Sequence, residues 1–224
     1  MDVKLEGGGD KSDQTFDRVL VAIGRRPNTE KIGLEKTKVK LNDAGFVVVD
    51  EQRRTADERI FSIGDVAGPP LLAHKAFREG KVAAEAIKGR RAAFDVRAIP
   101  SVIYTDPQIA WCGLREEQVQ KESSGVKIER YLWKFSSRAT TMGATDGVTK
   151  ILFDPETGEI LGMGITGRNA EGMISEGVLA IEMGAVAQDL GLIIHPHPTF
   201  SETVGEAAEL FTGTATHVLP PKIL

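Results

Sequence analysis

The stretch GVTKILFDPETGEILGMGIT, residues 147–166, decides the fold class. Two runs rich in β-forming residues, 147–154 and 158–166, flank the segment DPETG (154–158). Asp, Pro and Gly favour tight turns, and such a turn between two runs of this kind is typical of a β-hairpin. The stretch therefore predicts two neighbouring antiparallel strands.

Strand patterns precede this hairpin, and helical patterns follow it. Further strands are predicted at SVIYT (101–105), PQIAWCG (107–113) and VKIERYLWKF (126–135), with a short helix at LREEQVQK (114–121). Two longer helices are predicted at ISEGVLAIEMGA (174–185) and SETVGEAAEL (201–210). Strands followed by helices favour an α+β domain with an antiparallel sheet and packed helices.

The N-terminal part has a different pattern. Strands are predicted at FDRVLVAIG (16–24), GFVVVDE (45–51) and RIFSIGD (59–65), after a short strand-like VKLE (3–6). Small and apolar residues at helical spacing predict a helix from Ala73 to Ile87, with Gly89 as its C-cap. The shift in composition over KGRRAAFDVRAIP (88–100) predicts a domain boundary.

Composition argues against several classes of protein. The 224 residues include 28 Lys and Arg against 32 Asp and Glu, and no basic stripe indicates nucleic acid or an anionic membrane. The apolar runs are too short to span a bilayer. Four histidines with one cysteine do not form a zinc signature. The single cysteine, Cys112, rules out an internal disulfide and favours a reducing compartment, the cytoplasm.

A candidate acid–base pair lies in HPHPTFSE (195–202), where His197 comes five positions before Glu202. Thr199 and Glu202 fit a capping box at the start of the next helix, which gives the glutamate a structural explanation. A side chain at the third helical position also points back toward the helix start, and therefore toward the ring of His197. A carboxylate there would orient the imidazole as a general base requires. The two interpretations are compatible.

The segment SIGDVAGPPLLAHKA (62–76) is a candidate ligand site. Gly64 lets the backbone approach a ligand, and Asp65 can accept a hydrogen bond from a sugar-like hydroxyl. The helix that follows offers free N–H groups and the positive end of its dipole. A plain turn with Asp65 as a cap explains these residues equally well.

A second candidate ligand site is AIGRRPN (22–28). Gly24 can lie against a dinucleotide, with Arg25 or Arg26 near its phosphates. A strand that ends at Pro27 with two solvated arginines is the simpler explanation of the same residues.

Four segments, taken in order, resemble the flavoprotein disulfide reductases. They are AIGRRPN (22–28), IFSIGDVAGPPLLAHKAFREG (60–80), IPSVIYTDPQIAWCG (99–113) and HPHPTFSE (195–202). The resemblance implies a homodimer and three parts: the tail of the NAD-binding domain (1–26), a central FAD-side segment (27–97) and an interface domain (98–224). The α+β interface domain would thus follow a partial FAD/NAD-binding α/β segment.

The same resemblance implies roles for individual residues. His197 would be the base that handles the proton of the reactive thiol in the opposite subunit, and Glu202 would hold it. Gly24 would lie near NAD. Contacts with FAD are implied for Gly64 and Asp65 at the ribitol and diphosphate region, and for Leu71, Leu72 and Ala73 at the flavin.

Within the family, the branch that oxidises dihydrolipoamide with NAD+ as acceptor is favoured. His74 in LAHKA, and the pair His195 and His197, distinguish the chain from glutathione reductase. The ending PPKIL lacks the cysteine pair of mercuric reductases. Both enzymes remain alternatives, and the favoured branch implies a 2-oxo acid dehydrogenase complex as partner.

The features of the family's N-terminal half are missing. No Gly-rich fingerprint is recognised at the start of a strand–helix unit, and a single cysteine cannot form the C-x4-C redox disulfide. The chain therefore resembles the C-terminal half of such an enzyme. Alone, it is expected to retain neither FAD nor NAD and to be inactive, and a non-catalytic dimerisation module is the alternative function.

Overall fold

The computed structural model describes residues 1–4, 13–122 and 125–218. The chain divides into two compact units, Met1–Phe94 and Asp95–Leu224. The main hydrophobic core lies in the second unit, whose antiparallel sheet and packed helices confirm the predicted α+β class. The assignment of NAD, FAD and interface domains with boundaries after residues 26 and 97 stays a prediction.

The first unit contains one long helix and little other regular structure. Strands β1 (Asp2–Lys4) and β2 (Asp13–Thr15) form a short antiparallel ladder. Helix α1 runs over Ala73–Ile87, as its apolar spacing predicts. Gly89 follows the last turn with a φ of +74°, the left-handed conformation that favours glycine at a helix C-terminus, and its N–H donates to Ala86.

The strand predicted at FDRVLVAIG (16–24) is wrong. Beyond Phe16, the described part of the first unit contains no segment that pairs with it. A strand needs a neighbour to complete its backbone hydrogen bonds, so the segment stays irregular. Its apolar side chains point into solvent, with Leu20 89% and Ile23 97% exposed.

The strands predicted at 45–51 and 59–65 are also wrong, since each makes only an isolated bridge. The chain turns between these two segments, so neither bridge extends into a ladder of paired residues. The carboxylate of Asp50 accepts the N–H groups of Gln52 and Arg54 at 2.9 and 2.8 Å, which closes a tight local turn. Local side-chain bonds thus replace the strand pairing that the apolar pattern suggests.

The second unit is built on a five-stranded antiparallel sheet. Its strands are β3 (Ser101–Ile103), β4 (Ile109–Gly113), β5 (Lys127–Leu132), β6 (Val148–Phe153) and β7 (Ile160–Thr166), in the spatial order β3-β4-β7-β6-β5. The strand predicted at 126–135 ends at Leu132, because the chain turns there into a short 3-10 helix. That turn carries the fully buried Trp133 into the core.

The hairpin predicted from residues 147–166 is confirmed, since β6 pairs with β7 along its length. In the turn, the carboxylate of Asp154 accepts the N–H groups of residues 156 and 157. Gly158 completes the turn with a φ of +74°, which a residue with a side chain adopts only with strain. The turn residues therefore fix the register on which the sheet depends.

Helices of the second unit pack on this sheet. The unit contains α2 (Glu116–Glu122), α3 (Ser137–Thr141), α4 (Ala170–Met183), α5 (Ala187–Gly191) and α6 (Glu202–Thr212). α4 packs on β4 and β7, α6 packs on β5 and β6, and α5 packs against α6. The alternate residues Thr149, Ile151 and Phe153 of β6 are buried in the resulting core.

Three glycines of β7 and its end, Gly162, Gly164 and Gly167, have the G-x-G-x-x-G spacing of a dinucleotide fingerprint. They lie on a strand that is antiparallel to both of its neighbours, so no parallel strand–helix–strand unit surrounds them. At Gly162 and Gly167 the small size instead serves packing. A Cβ atom at Gly167 would overlap the indole ring of Trp133.

Gly162→Ala should destabilise the second unit, because a Cβ atom there would overlap the carbonyl oxygen of Leu114. We expect the free energy of unfolding to fall by about 1–3 kcal/mol, the usual cost of overpacking a core. Gly164→Ala, on the same strand, is the matched control, since its nearest new neighbour is the Lys150 side chain at 3.8 Å. Urea unfolding followed by circular dichroism measures both, and equal losses would contradict the packing argument.

Candidate functional site

Glu202, the first residue of α6, binds both the ring of His197 and the backbone that precedes the helix. Its Oε1 lies 2.7 Å from Nδ1 of His197. Its Oε2 accepts the N–H of Thr199 at 2.7 Å. One carboxylate therefore makes both of the contacts that the sequence suggests.

The start of α6 differs from the predicted capping box. The helix begins at Glu202 rather than near Thr199, and Ser201 precedes it without a side-chain cap. The hydroxyl of Thr199 donates to the carbonyl of Pro196 at 2.7 Å and so stabilises the loop before the helix. The glutamate half of the box is thus present, while the threonine acts in a local turn.

The geometry leaves His197 open to a reactant. Its side chain is 63% exposed, whereas that of Glu202 is 24% exposed. Because Nδ1 is engaged by the carboxylate, Nε2 is the ring nitrogen at which a proton can be exchanged. A carboxylate in this position orients the ring and balances the charge of a protonated imidazole, as in other histidine bases.

A buried chain of hydrogen bonds fixes the helix that carries Glu202. Nε1 of Trp133 donates to the hydroxyl of Thr149 at 3.0 Å, and that hydroxyl lies 2.7 Å from the hydroxyl of Thr203. The ring of Phe200 stacks on Trp133 with 4.8 Å between centroids. The residues on both sides of Glu202 in this turn are therefore anchored in the core, which preorganises the carboxylate.

Two further histidines have glutamate partners that the sequence analysis missed. Nε2 of His195 lies 2.8 Å from Oε1 of Glu176 on α4. Glu206, one turn after Glu202 on α6, binds Nδ1 of His217 and accepts the backbone N–H of the same residue at 3.3 Å. The partners are 19 and 11 residues away, too far for a local spacing pattern to indicate them.

His197 and His217 border the same shallow depression. Its other lining residues are Tyr131, Phe135, Ser136, Ser137, Glu202, Thr203 and Glu206. Tyr131 is 2% exposed, and its pKa is raised by burial and by the carboxylates of Glu206 and Glu202. The phenol therefore stays protonated and gives the depression a neutral wall.

In the first unit, Gly64 and Asp65 open a short 3-10 helix, Gly64–Ala67. Gly64 is buried with a φ of +75°, and a Cβ atom there would lie 3.2 Å from Ala76. Asp65 is exposed, while its carbonyl accepts the N–H of Gly68 at 3.3 Å. The turn predicted at Gly64 and Asp65 is present. It exposes the Asp65 carboxylate to solvent, where a ligand hydroxyl can reach it.

The remaining predicted cofactor residues lie in the same unit. Leu71 and Leu72 are half-buried, and Ala73 is the exposed first residue of α1. Nη1 of Arg25 donates to the carbonyl of Leu71 at 2.8 Å, which joins the segment AIGRRPN to the start of α1. The neighbouring Gly24 is exposed, with open space where a side chain would lie.

Cys112 behaves as a core residue. It is 1% exposed, and burial raises the pKa of its thiol to about 12. Among residues 1–4, 13–122 and 125–218, no three His, Cys, Asp or Glu side chains are grouped so that they could hold a metal ion. No helix in those ranges is long and apolar enough to cross a membrane.

Two family models match the chain. The model of the pyridine nucleotide-disulphide oxidoreductases matches residues 2–80, and the model of their dimerisation domain matches residues 99–208. The chain belongs to this family. Most of its length is covered by the two matches together.

Similar curated proteins carry the name dihydrolipoyl dehydrogenase. The protein from Thermus scotoductus is 47% identical over 95% of this chain and 46% of its own length. The protein from Buchnera aphidicola subsp. Schizaphis graminum is 45% identical over 96% of this chain and 45% of its own length. The chain thus spans about half the length of the curated relatives it matches.

Solved structures share the fold at lower identity. LpdA from Mycobacterium tuberculosis superposes with a TM-score of 0.82 at 24% identity, over 90% of this chain and 44% of its own. The flavoprotein disulfide reductase RclA from Escherichia coli gives a TM-score of 0.81 at 24% identity, over 89% and 46%. Both superpositions show that the chain adopts the fold of the matching part of these two structures.

Glu176→Gln should destabilise the second unit more at pH 5.5 than at pH 9. The hydrogen bond with Glu176 raises the pKa of His195 above its ordinary value, against a smaller opposing effect of burial. A raised pKa in the folded state stabilises the fold below the ordinary pKa, and this contribution is lost as pH rises through the raised value.

Urea unfolding at both pH values measures this difference, and the NMR titration of the His195 ring reports its pKa directly. Glu156→Gln, an exposed carboxylate in the β6–β7 turn, is the control. An unchanged His195 titration in Glu176→Gln would contradict the assignment.

Proposed function

We propose that this chain is the C-terminal part of a dihydrolipoamide dehydrogenase, which oxidises dihydrolipoamide through a redox disulfide and FAD with NAD+ as acceptor. The observation that carries the proposal is the contact of 2.7 Å between His197 and Glu202. A thiol-oxidising enzyme of this family needs a positioned base, and this pair has the required geometry. The 47% identity to a dihydrolipoyl dehydrogenase supports this substrate over glutathione or mercuric ion.

In the proposed mechanism, Nε2 of His197 accepts the proton of the substrate thiol. The resulting thiolate attacks the redox disulfide, whose S–S bond breaks as a mixed disulfide forms and one enzyme sulfur leaves as a thiolate. That thiolate takes the proton of the second substrate thiol, which then displaces the other enzyme sulfur and closes the substrate disulfide. The imidazolium of His197 remains paired with the Glu202 carboxylate meanwhile, and it releases its proton to solvent once the two electrons of the enzyme dithiol have passed on. FAD, when bound, supplies the two-electron acceptor between the dithiol and NAD+. In the homodimer, His197 would serve the active site of the opposite subunit.

The described residues of the first unit fit a dinucleotide cofactor. The backbone at Gly64 has the positive φ and close packing that a side chain would not allow. We propose that Gly64 and Asp65 contact the ribitol and diphosphate region of FAD, that Leu71, Leu72 and Ala73 line the flavin, and that Gly24 lies near NAD. The apolar Leu71 and Leu72, beside the positive end of the dipole of α1, suit such a ligand.

The proposed partners follow from the family. The match of residues 99–208 to a dimerisation domain supports a homodimer, and the dihydrolipoamide substrate supports a 2-oxo acid dehydrogenase complex as the larger assembly. The cytoplasm, expected from the single cysteine, stays a prediction.

A specific observation also favours a second candidate, a non-catalytic dimerisation module. Cys112 is the only cysteine in the chain, and it is buried with a raised thiol pKa. By itself the chain therefore cannot supply the redox disulfide. The two candidates differ in whether the chain works as part of a longer enzyme.

The 224-residue chain by itself should form a homodimer and carry no flavin. Residues 99–208 match a dimerisation domain, whereas a cofactor pocket shared with another half loses most of its contacts without that half. Sedimentation at micromolar concentration and the visible absorbance spectrum measure the two properties. Monomer alone would contradict the dimer, and stoichiometric flavin on a chain of confirmed 24.2 kDa mass would contradict the shared pocket.

In the complete enzyme, His197→Gln should lower turnover with dihydrolipoamide by about 10²–10⁴-fold and leave flavin bound, because a positioned base is lost. Glu202→Gln should cost less, since an amide can still orient the ring but cannot balance imidazolium. Stopped-flow reduction of the flavin by dihydrolipoamide measures the step directly. Ser137→Ala, at an exposed residue that borders the same depression, is the matched control.

The double variant separates catalysis from helix stability. If Glu202 acts through His197, adding Glu202→Gln to His197→Gln lowers turnover little further. If Glu202 only stabilises the start of α6, it lowers the melting temperature and leaves the turnover of folded enzyme unchanged. Full activity of His197→Gln would overturn the proposed mechanism.

A further inference from the structure

Beneath the loop Gly64–Gly68 lies a buried network of charged side chains that the sequence analysis did not identify. Lys75 and Glu79 stand one turn apart on α1, with side chains 3% and 1% exposed and 3.1 Å between Nζ and Oε1. Nη1 of Arg53 reaches the same Oε1 at 3.0 Å. Two cations and one carboxylate are thus held together in the interior of the first unit.

This network binds the backbone of the loop at both of its ends. Oε2 of Glu79 accepts the N–H of Gly64 at 2.6 Å. Nζ of Lys75 donates to the carbonyls of Gly64 and Gly68 at 3.2 and 2.9 Å. With its bond to Glu79, the ammonium group uses all three of its protons.

The arrangement leaves one side chain of the loop available. Gly64 and Gly68 are fixed from below, while Asp65 between them is exposed. A buried ion pair seldom stabilises a fold more than apolar residues of the same size would. Here the ion pair fixes the position of backbone N–H and carbonyl groups of the loop, which only polar side chains can bind.

The charge of the network also suits the ligand proposed for the loop. The carboxylate of Glu79 balances one of the two cations, so a net positive charge remains under the loop. Nε of Arg53 is buried and has no partner among the described residues. A positive interior beside Gly64 favours an anionic group such as a diphosphate over a neutral ligand.

We infer that Lys75 and Glu79 are positioning residues that hold the Gly64–Gly68 loop in the conformation that binds the diphosphate region of FAD. The inference rests on the proposed function, since it takes FAD as the ligand of this loop. Neither side chain needs to touch the cofactor. Both act through the loop backbone and through the charge beneath it.

The test is the dissociation constant of FAD in the complete protein, stripped of flavin and titrated by fluorescence quenching. Lys75→Met removes the ammonium that binds the carbonyls of Gly64 and Gly68, and it leaves Glu79 paired with Arg53, so that no charge of the network is unpaired. We expect this variant to fold, and the melting temperature of its apoprotein is measured to show it. We expect its dissociation constant for FAD to rise on the order of tenfold or more, because the loop is no longer preorganised.

Arg59→Gln is the matched control, since it removes a cation of the same unit whose side chain is 90% exposed and whose Nε lies 3.6 Å from the Asp57 carboxylate rather than in the network. Its dissociation constant for FAD should equal that of the parent. Glu79→Gln, which keeps the size of the side chain, is the second variant, and it is judged by the same measurement if Lys75→Met does not fold.

The outcomes separate the two proposals. A parent protein that binds no FAD overturns the proposed function and the inference with it. A parent that binds FAD, together with a folded variant that binds it equally well, overturns the inference alone. A weaker FAD complex in a folded variant, with the control unchanged, supports both.

Discussion

The buried indole of Trp133 is the constraint on which the second unit depends. Its ring occupies space that only glycine leaves open, since a Cβ atom at Gly147 or Gly167 would overlap it. Its N–H must find a partner in the interior, and it finds one in Thr149, which in turn contacts Thr203. One aromatic residue thus links the 3-10 turn after β5, the strand β6 and the first turn of α6.

The orientation of the proposed base follows from this linkage. Glu202 lies next to Thr203, so the same buried contacts that anchor α6 also set the place of the carboxylate. His197 itself is exposed and belongs to a loop, yet its ring is bound to a residue whose neighbour Thr203 is fully buried. The side chain proposed as the base therefore gains its orientation from the core, in the way that a rigid scaffold positions functional residues on loops.

The parts of the fold that the sequence predicted correctly depend on residues that lie close together in the chain. The hairpin of residues 147–166 follows from its turn residues, and α1 follows from its apolar spacing, because both depend on neighbours close in sequence. The segment 16–24 has an equally apolar pattern, but a strand exists only with a partner, and a pattern does not show where the partner is. The strand predicted at 126–135 ends before Trp133 for a related reason. The ring of Trp133 packs against Gly147 and Gly167, which are distant in the sequence, and the chain turns to place the ring there.

The same limit applies to the site. His197 and Glu202 lie five residues apart, so the direction of a side chain in the first helical turn was enough to bring them together. Glu176 on α4 contacts His195, which lies 19 residues further along in a loop, and Arg53 contacts Glu79 across 26 residues. Neither contact therefore leaves a local pattern in the sequence. Lys75 and Glu79 have the spacing of an ordinary surface ion pair on a helix, and only the structure reveals that they are buried.

Helix α6 has a consequence of its own, because two of its carboxylates hold the chain on both sides of it. Glu202 binds the loop that enters the helix, and Glu206 binds the segment that leaves it, through His217. Local opening of these 11 residues would free both flanking segments in a single event. The order of the His197 loop is therefore coupled to a stretch of chain that follows it by about one full helix, and a change near His217 can alter the position of the proposed base.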